Sequence, residues 1–234
     1  MTRSGQPAGA VLLDIDGTLV DSNYVQVEAW VRSFRDVGFE VDAWRVHRTV
    51  GMAGHQLVPR VASLCGVDLP PGAADEVEQA HSRHEAASAD RMRVFDGARE
   101  LVREIAARGA RPVLATSASL EQLERLRELL DVEDVLHAVT SSQDVEASKP
   151  EPELVQVALR TAGVEPSEAV FLGDSVWDVI AAERAGVPCI GVLSGGVGAH
   201  ELTEAGAVEI RTDVAELLAD LDGSALAAVL RPTG

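Results

Sequence analysis

The sequence predicts a doubly wound α/β fold, a parallel sheet covered by helices on both faces, with an all-helical module inserted after the first strand. Three observations predict it. From Phe95 onward, short apolar runs alternate with helix-length amphipathic segments, the rhythm of right-handed βαβ units. Between the first apolar run and Phe95, the stretch from Asp21 to Arg91 carries helical patterning and no strand pattern. A chain of 234 residues, 46% apolar and 25% charged, has room for one good-sized core plus a small inserted unit. The resulting division is a core of residues 1–20 and 92–234, interrupted by a helical cap of residues 21–91.

Each element has a local reason. Ala10 to Leu13 is an apolar run that reads as a buried parallel strand, and Gly17 and Thr18 supply the turn that ends it. The cap begins with a helix over Asn23 to Val37, stopped at Gly38, and continues as helical segments around Trp44, Leu57 and Val77, divided by the Pro70-Pro71-Gly72 turn. Asp96 is the expected N-cap and Gly109 the expected stop of a helix over Ala98 to Arg108. Strands follow at Pro112 to Thr116, Ala138 to Ser141, Ala169 to Leu172 and Pro188 to Val192, with helices at Leu120 to Leu130, Glu153 to Ala162 and Val176 to Ala185. No chemistry is legible after Asp222. Because the cap emerges from a strand's carboxyl end, where open parallel sheets bind ligands, it is placed to act as a lid.

Composition narrows the function classes. A formal charge of −18 repels polyanions, which excludes nucleic acid as a partner. No run approaches eighteen apolar residues, and the N-terminal MTRSGQPAGA is too short and polar for a signal peptide. No membrane partner is expected, and the cytoplasm is the expected location. Cys65 and Cys189 lie far apart without metal-ligand spacing, so neither a disulfide framework nor a zinc site is expected. Among twenty basic residues there is one lysine, Lys149.

Four short segments fall at predicted strand ends: DID at Asp14, ATS at Thr116, SKP at Lys149 and GDSVWD at Asp174. Asp14 and Asp16, two apart, can serve one site, and a carboxylate there can attack phosphorus. A calcium loop of the EF-hand type is excluded, because Leu19 and Val25 stand where Gly and Glu are needed. Thr116 is open between a hydroxyl bonded to nearby backbone and a ligand-facing group. Ser119 with Gln122 reads as a capping box, a structural role. Lys149 supplies a compact point charge suited to phosphate, where arginine would prefer a bidentate fork. Asp174 ends an apolar strand, where an ionised carboxylate needs something positive nearby, and Mg²⁺ fits. Asp178 is open between helix cap, paired with Ser175, and support of a metal site.

Together these segments resemble the haloacid dehalogenase-like (HAD) hydrolases, in particular the phosphatase and beta-phosphoglucomutase-like members with a helical cap. The resemblance spans almost the whole chain, with DIDGTLVDS, ATS, SKPEPE and GDSVWD in the family's order. It implies the Rossmann-like HAD fold, Mg²⁺ as cofactor and a small phosphorylated metabolite as partner. By the same resemblance Asp14 is the nucleophile and Asp16 the general acid and base. Gly17, Thr116, Ser117 and Lys149 hold the phosphoryl group, and Asp14, Asp16 (through its backbone carbonyl), Asp174 and Asp178 serve the metal. The second Asp of the first motif speaks against dehalogenation. Four aspartates against Mg²⁺ and Lys149 leave the site net negative before a dianionic ester arrives, which favours a protonated Asp16. Further donors are expected from a cap arginine, with Arg48 the first candidate.

The expected activity is hydrolysis of a small phosphomonoester through an aspartyl-phosphate. A sugar phosphomutase is the runner-up, although mutases resembling this chain usually carry His where Gln26 stands. A non-enzymatic phosphate-dependent binding module is the third reading, opposed by the presence of both aspartates. Specificity is expected in cap residues such as His47, Arg48, Met52, His55 and Gln56. The sequence chooses neither monomer nor homo-oligomer.

Overall fold

In the computed structural model, residues 9–145 and 147–231 are described. Six parallel strands form one sheet: β1 (Ala10–Leu13), β4 (Arg111–Ala115), β5 (Ala138–Thr140), β6 (Ala169–Gly173), β7 (Cys189–Val192) and β8 (Glu209–Arg211), in the spatial order β5-β4-β1-β6-β7-β8. β1 is central, with Leu13 opposite both Leu114 of β4 and Leu172 of β6. From β1 the chain builds one half of the sheet through β4 and β5, then returns to build the other from β6. The order therefore reverses beside β1, the place where such sheets open a crevice at their carboxyl ends.

Side-chain alternation along β1 divides the core. Val11 and Leu13 belong to one apolar cluster, which contains Leu101 and Ile105 of α5 (Ala98–Ala107) and Leu123 and Leu126 of α6 (Leu120–Leu130). Ala10 and Leu12 belong to the other, with Val155 and Ala158 of α7 (Glu153–Ala162) and Val179 of α8 (Val176–Arg184). The sheet is thus covered on both faces, which is why β1 reads as a continuous apolar run.

Four helices, α1 (Asn23–Asp36), α2 (Ala43–His47), α3 (Gly54–Cys65) and α4 (Ala73–Ala87), pack around a third cluster centred on Trp30, Phe34, Leu57, Val61 and Val77. Their links to the sheet run through two very short strands, β2 (Val20–Asp21) and β3 (Arg93–Val94), paired antiparallel. Both passages of the chain therefore travel as one ribbon.

The structure differs from expectation in two places. The N-cap of α5 is Gly97, at φ 81°, and not Asp96; a left-handed entry that only glycine adopts without cost replaces a side-chain cap. β8 and the short helices α9 (Ala199–Glu204) and α10 (Val214–Ala219) were not expected. They are too brief to show a period. The tail beyond Asp222 is structural, since Leu226, Val229 and Leu230 are buried in the first cluster.

Candidate active site

The carboxyl ends of β1, β4 and β6 bring Asp14, Thr116 and Asp174 to one crevice, and the turn before α7 adds Lys149. Asp14, Asp174 and Asp178 each offer an oxygen within 4.8 Å of the others. All three are buried, as is Lys149, whose ammonium donates to Asp14 Oδ1 at 2.5 Å and meets Asp178 Oδ1 at 2.7 Å. One fixed cation thus faces three carboxylates, and the uncompensated charge with hard oxygen donors fits Mg²⁺.

Asp178 caps its helix, and its second oxygen faces the buried acidic cluster. Its Oδ2 accepts from the Ser175 amide at 3.0 Å and the Ser175 hydroxyl at 2.6 Å, closing a capping box at α8, while Oδ1 faces Lys149. Asp174 accepts from Thr18 Oγ1 at 3.0 Å and Asn23 Nδ2 at 2.8 Å. Two glycines make this fit possible. A Cβ on Gly17, which sits at φ 74°, would lie 2.5 Å from Asp174 Oδ2, and one on Gly195 would lie 1.6 Å from it. Neither position admits another residue without displacing the carboxylate.

Asp16 stands apart from this cluster. Its carboxylate accepts from Ser22 Oγ at 2.5 Å and from Gln122 Nε2 at 3.2 Å, so any bond from Asp16 to a metal has to come from its main-chain carbonyl. Thr116 Oγ1 accepts from the Ala118 amide at 3.1 Å, and the residue also lines the crevice. Ser117 Oγ lies 2.8 Å from Ser148 Oγ, beside Lys149 in sequence. Gly17 donates through its main chain to Val20 at 2.8 Å, which spends its amide on the turn. Arg48 is not brought to the crevice: its guanidinium pairs with Glu201 of α9.

The cap closes over the crevice with Trp30, Gly51, Met52, His55, Glu78 and His81 among the lining residues. His81 stacks on Trp30 with ring centroids 3.6 Å apart, and its Nε2 lies 2.8 Å from Gln26 Oε1. Burial, helped by the charges of His84 and Arg125, pulls its pKa down to about 3. The ring is therefore neutral and donates from Nε2. The Gln26 side chain stands beside Asp16 and favours its ionised form.

Burial raises the carboxyl groups of Asp14 and Asp16 above the ordinary range, against the opposing effects of Lys149 on the first and the Ser22 hydroxyl on the second. Asp174 is pushed up to about 7 by burial and by the charge of Asp178. For Lys149, burial works against the ammonium, but Asp14 and Asp178 together outweigh it and raise the pKa. Burial thus favours the protonated form of both carboxyls, and Lys149 works against it most directly at Asp14.

A sequence profile of the haloacid dehalogenase-like hydrolases matches residues 8–186. The chain belongs to this family. Among curated relatives, this hydrolase is 30% identical to validoxylamine A 7'-phosphate phosphatase of Streptomyces hygroscopicus subsp. limoneus over 78% of its own length and 84% of the relative's. It is 31% identical to a phosphoglycolate phosphatase of Rhodospirillum rubrum over 89% and 88%. Among solved structures, a hydrolase from Pseudomonas syringae superposes with a TM-score of 0.88 at 28% identity, covering 92% of this chain and 98% of the other.

Several residues of this hydrolase's site carry no sequence signal of their own. Thr18, Ser22, Asn23 and Gly195 look like ordinary turn and cap residues, and Gln122 reads as half of a capping box, yet each touches or borders one of the aspartates. The Ser119 side chain does accept from the Gln122 amide as expected, which leaves the Gln122 side chain free to reach Asp16.

The raised pKa of Asp174 has a thermodynamic consequence. A carboxyl titrating near 7 in the folded state and near 3.9 when unfolded makes the native state bind the extra proton between those values, so its contribution to metal-free stability falls as pH rises through that window. A divalent cation held by these carboxylates would compete with that proton. Thermal melts in EDTA and in Mg²⁺ should show a larger metal-induced rise in Tm at pH 7.5 than at pH 5.5; an equal rise at both would contradict the assignment.

Proposed function

We propose that this protein is a Mg²⁺-dependent phosphatase that hydrolyses a small phosphorylated metabolite through an aspartyl-phosphate on Asp14. The observation that carries the reading is the separation of two carboxyl groups: Asp14 sits on Lys149 in the buried acidic cluster, whereas Asp16 is held by Ser22 and Gln122 at the crevice. In this reading residues 21–91 form the cap and residues 1–20 and 92–234 the catalytic core.

In the first step an Asp14 oxygen bonds to phosphorus as the ester P–O bond breaks, and the departing oxygen takes the proton of Asp16. In the second, the Asp16 carboxylate accepts a proton from water, whose oxygen bonds to phosphorus as the bond to Asp14 breaks. Phosphate leaves, Asp14 is again a carboxylate and Asp16 again carries its proton. Burial of Asp16 supports the acid role, since it raises the pKa toward the working range. Lys149 orients Asp14 and offsets charge on the phosphoryl oxygens, with Thr116 and Ser117 lining their side of the crevice. Asp14, Asp174 and Asp178 would hold Mg²⁺, with Thr18 and Asn23 fixing the Asp174 carboxylate, and the bound ion would act as a Lewis acid toward the phosphoryl group.

The test is to trap the intermediate. With p-nitrophenyl phosphate, whose leaving group needs no acid, Asp16→Asn should still take the phosphoryl group but lose it slowly. Acid quench and intact mass spectrometry should find one phosphoryl group per chain, mapped to Asp14. A variant that turns over at the wild-type rate, or that carries its phosphate elsewhere, would remove this mechanism.

A further inference from the structure

Resting on the phosphatase reading, we propose that the group esterified to the phosphate is an uncharged, hydroxyl-rich carbon skeleton, a sugar or polyol, and that Glu78 selects it against leaving groups that carry a carboxylate or a second phosphoryl group.

The argument begins with charge. Among the described residues lining the crevice there is no lysine or arginine. Lys149, the one basic residue in the cluster beneath it, is committed to Asp14 and Asp178. Two arginines nearby are committed too, Arg48 to Glu201 and Arg125 to Glu85. Along the cap wall the formal charge is instead negative: Glu78, on α4 one helical turn before His81, faces the crevice from a half-buried position, with its carboxylate beside Gly54 and Trp30. His55 does not reverse this, because its favourable interaction is with Glu78 itself.

A glycolate-type carboxylate or the far phosphate of a bisphosphate would thus sit beside a half-buried carboxylate, with no arginine fork or ammonium to receive it. Like charges placed together in a partly desolvated site are strongly disfavoured. Hydroxyl groups meet the opposite situation. Glu78 offers acceptor oxygens, Ser119 a hydroxyl that can donate while it accepts from the Gln122 amide, and Ser82, whose hydroxyl donates to the Glu78 carbonyl, a further acceptor. A site built to hydrogen-bond hydroxyls penalises a ligand that leaves such groups unpaired.

The experiment compares kcat/KM of the wild-type protein in Mg²⁺ for glucose 6-phosphate and glucitol 6-phosphate with that for 2-phosphoglycolate and fructose 1,6-bisphosphate, using p-nitrophenyl phosphate to report the chemistry alone. At least one neutral substrate should exceed both anionic ones by about tenfold or more. Glu78→Lys should shift the ratio of phosphoglycolate to sugar phosphate upward by about tenfold, and Glu78→Gln by less; each ratio is taken within one protein and does not depend on how much of it is folded. A wild-type preference for phosphoglycolate or the bisphosphate, or an unmoved ratio in Glu78→Lys, would overturn the assignment while leaving the phosphatase standing. Failure to hydrolyse any of these esters, p-nitrophenyl phosphate included, would instead overturn the reading on which it rests.

Discussion

Asp14→Asn is expected to lower kcat on p-nitrophenyl phosphate by about 10⁴-fold or more, the loss seen when a covalent nucleophile is removed. The amide keeps the shape of the carboxylate but has no anionic oxygen to offer phosphorus. The fold should survive, because burial opposes the charge on Asp14, and Lys149 retains Asp178 at 2.7 Å after the change. Circular dichroism should therefore give a melting temperature near or above that of the wild type. An activity within tenfold of wild type, in protein that melts normally, would take the nucleophile's role away from Asp14.

Lys149→Met should damage both activity and stability. As a preorganised charge aimed at the phosphoryl site, Lys149 is expected to contribute about 3 kcal/mol to the transition state, a loss of 10²-fold or more in kcat/KM. The same substitution leaves Asp14 and Asp178 buried without their cation. Breaking a buried pair from one side costs about 3–5 kcal/mol, and urea titration of the metal-free protein at neutral pH should register a loss of that order. Because the Lys149 pKa is raised in the folded state, its contribution is complete below its unfolded pKa of about 10.4 and lost only as pH climbs through the folded value. The deficit of the variant should nevertheless shrink toward pH 5, since the raised pKa of Asp14 lets it take up a proton in place of the lost cation. Wild-type kinetics with an unchanged urea midpoint would sink the assignment.

The sheet and the acidic residues at its edge were legible because one pattern serves both. A strand buried on two faces must read as an apolar run, so a carboxylate that ends it is conspicuous, as Asp14 and Asp174 are. Lys149 was conspicuous for a different reason, being the single lysine of the chain. The residues that steady these groups were not legible. Thr18 and Asn23 lie 156 and 151 positions from Asp174, and Gln122 lies 106 from Asp16. Their partners are chosen by strand order, which a local pattern does not contain. Arg48 illustrates the converse: as a basic residue of the cap it was the first candidate donor to the phosphoryl group, but the folded chain supplies Glu201 as its counter-charge. β2 and β3, two residues each, offered no period to read.

That small pair of strands sets how the helical unit is joined to the sheet. Since Val20 pairs with Val94 and Asp21 with Arg93, the outgoing and returning chains leave the sheet side by side, and the helices beyond them hang like a door from a single hinge pin. Ser22, the next residue past the pin, has its hydroxyl on Asp16. The root of the helical unit and the contact that holds the Asp16 carboxylate are thus adjacent residues, so a change of angle at the one would be felt at the other.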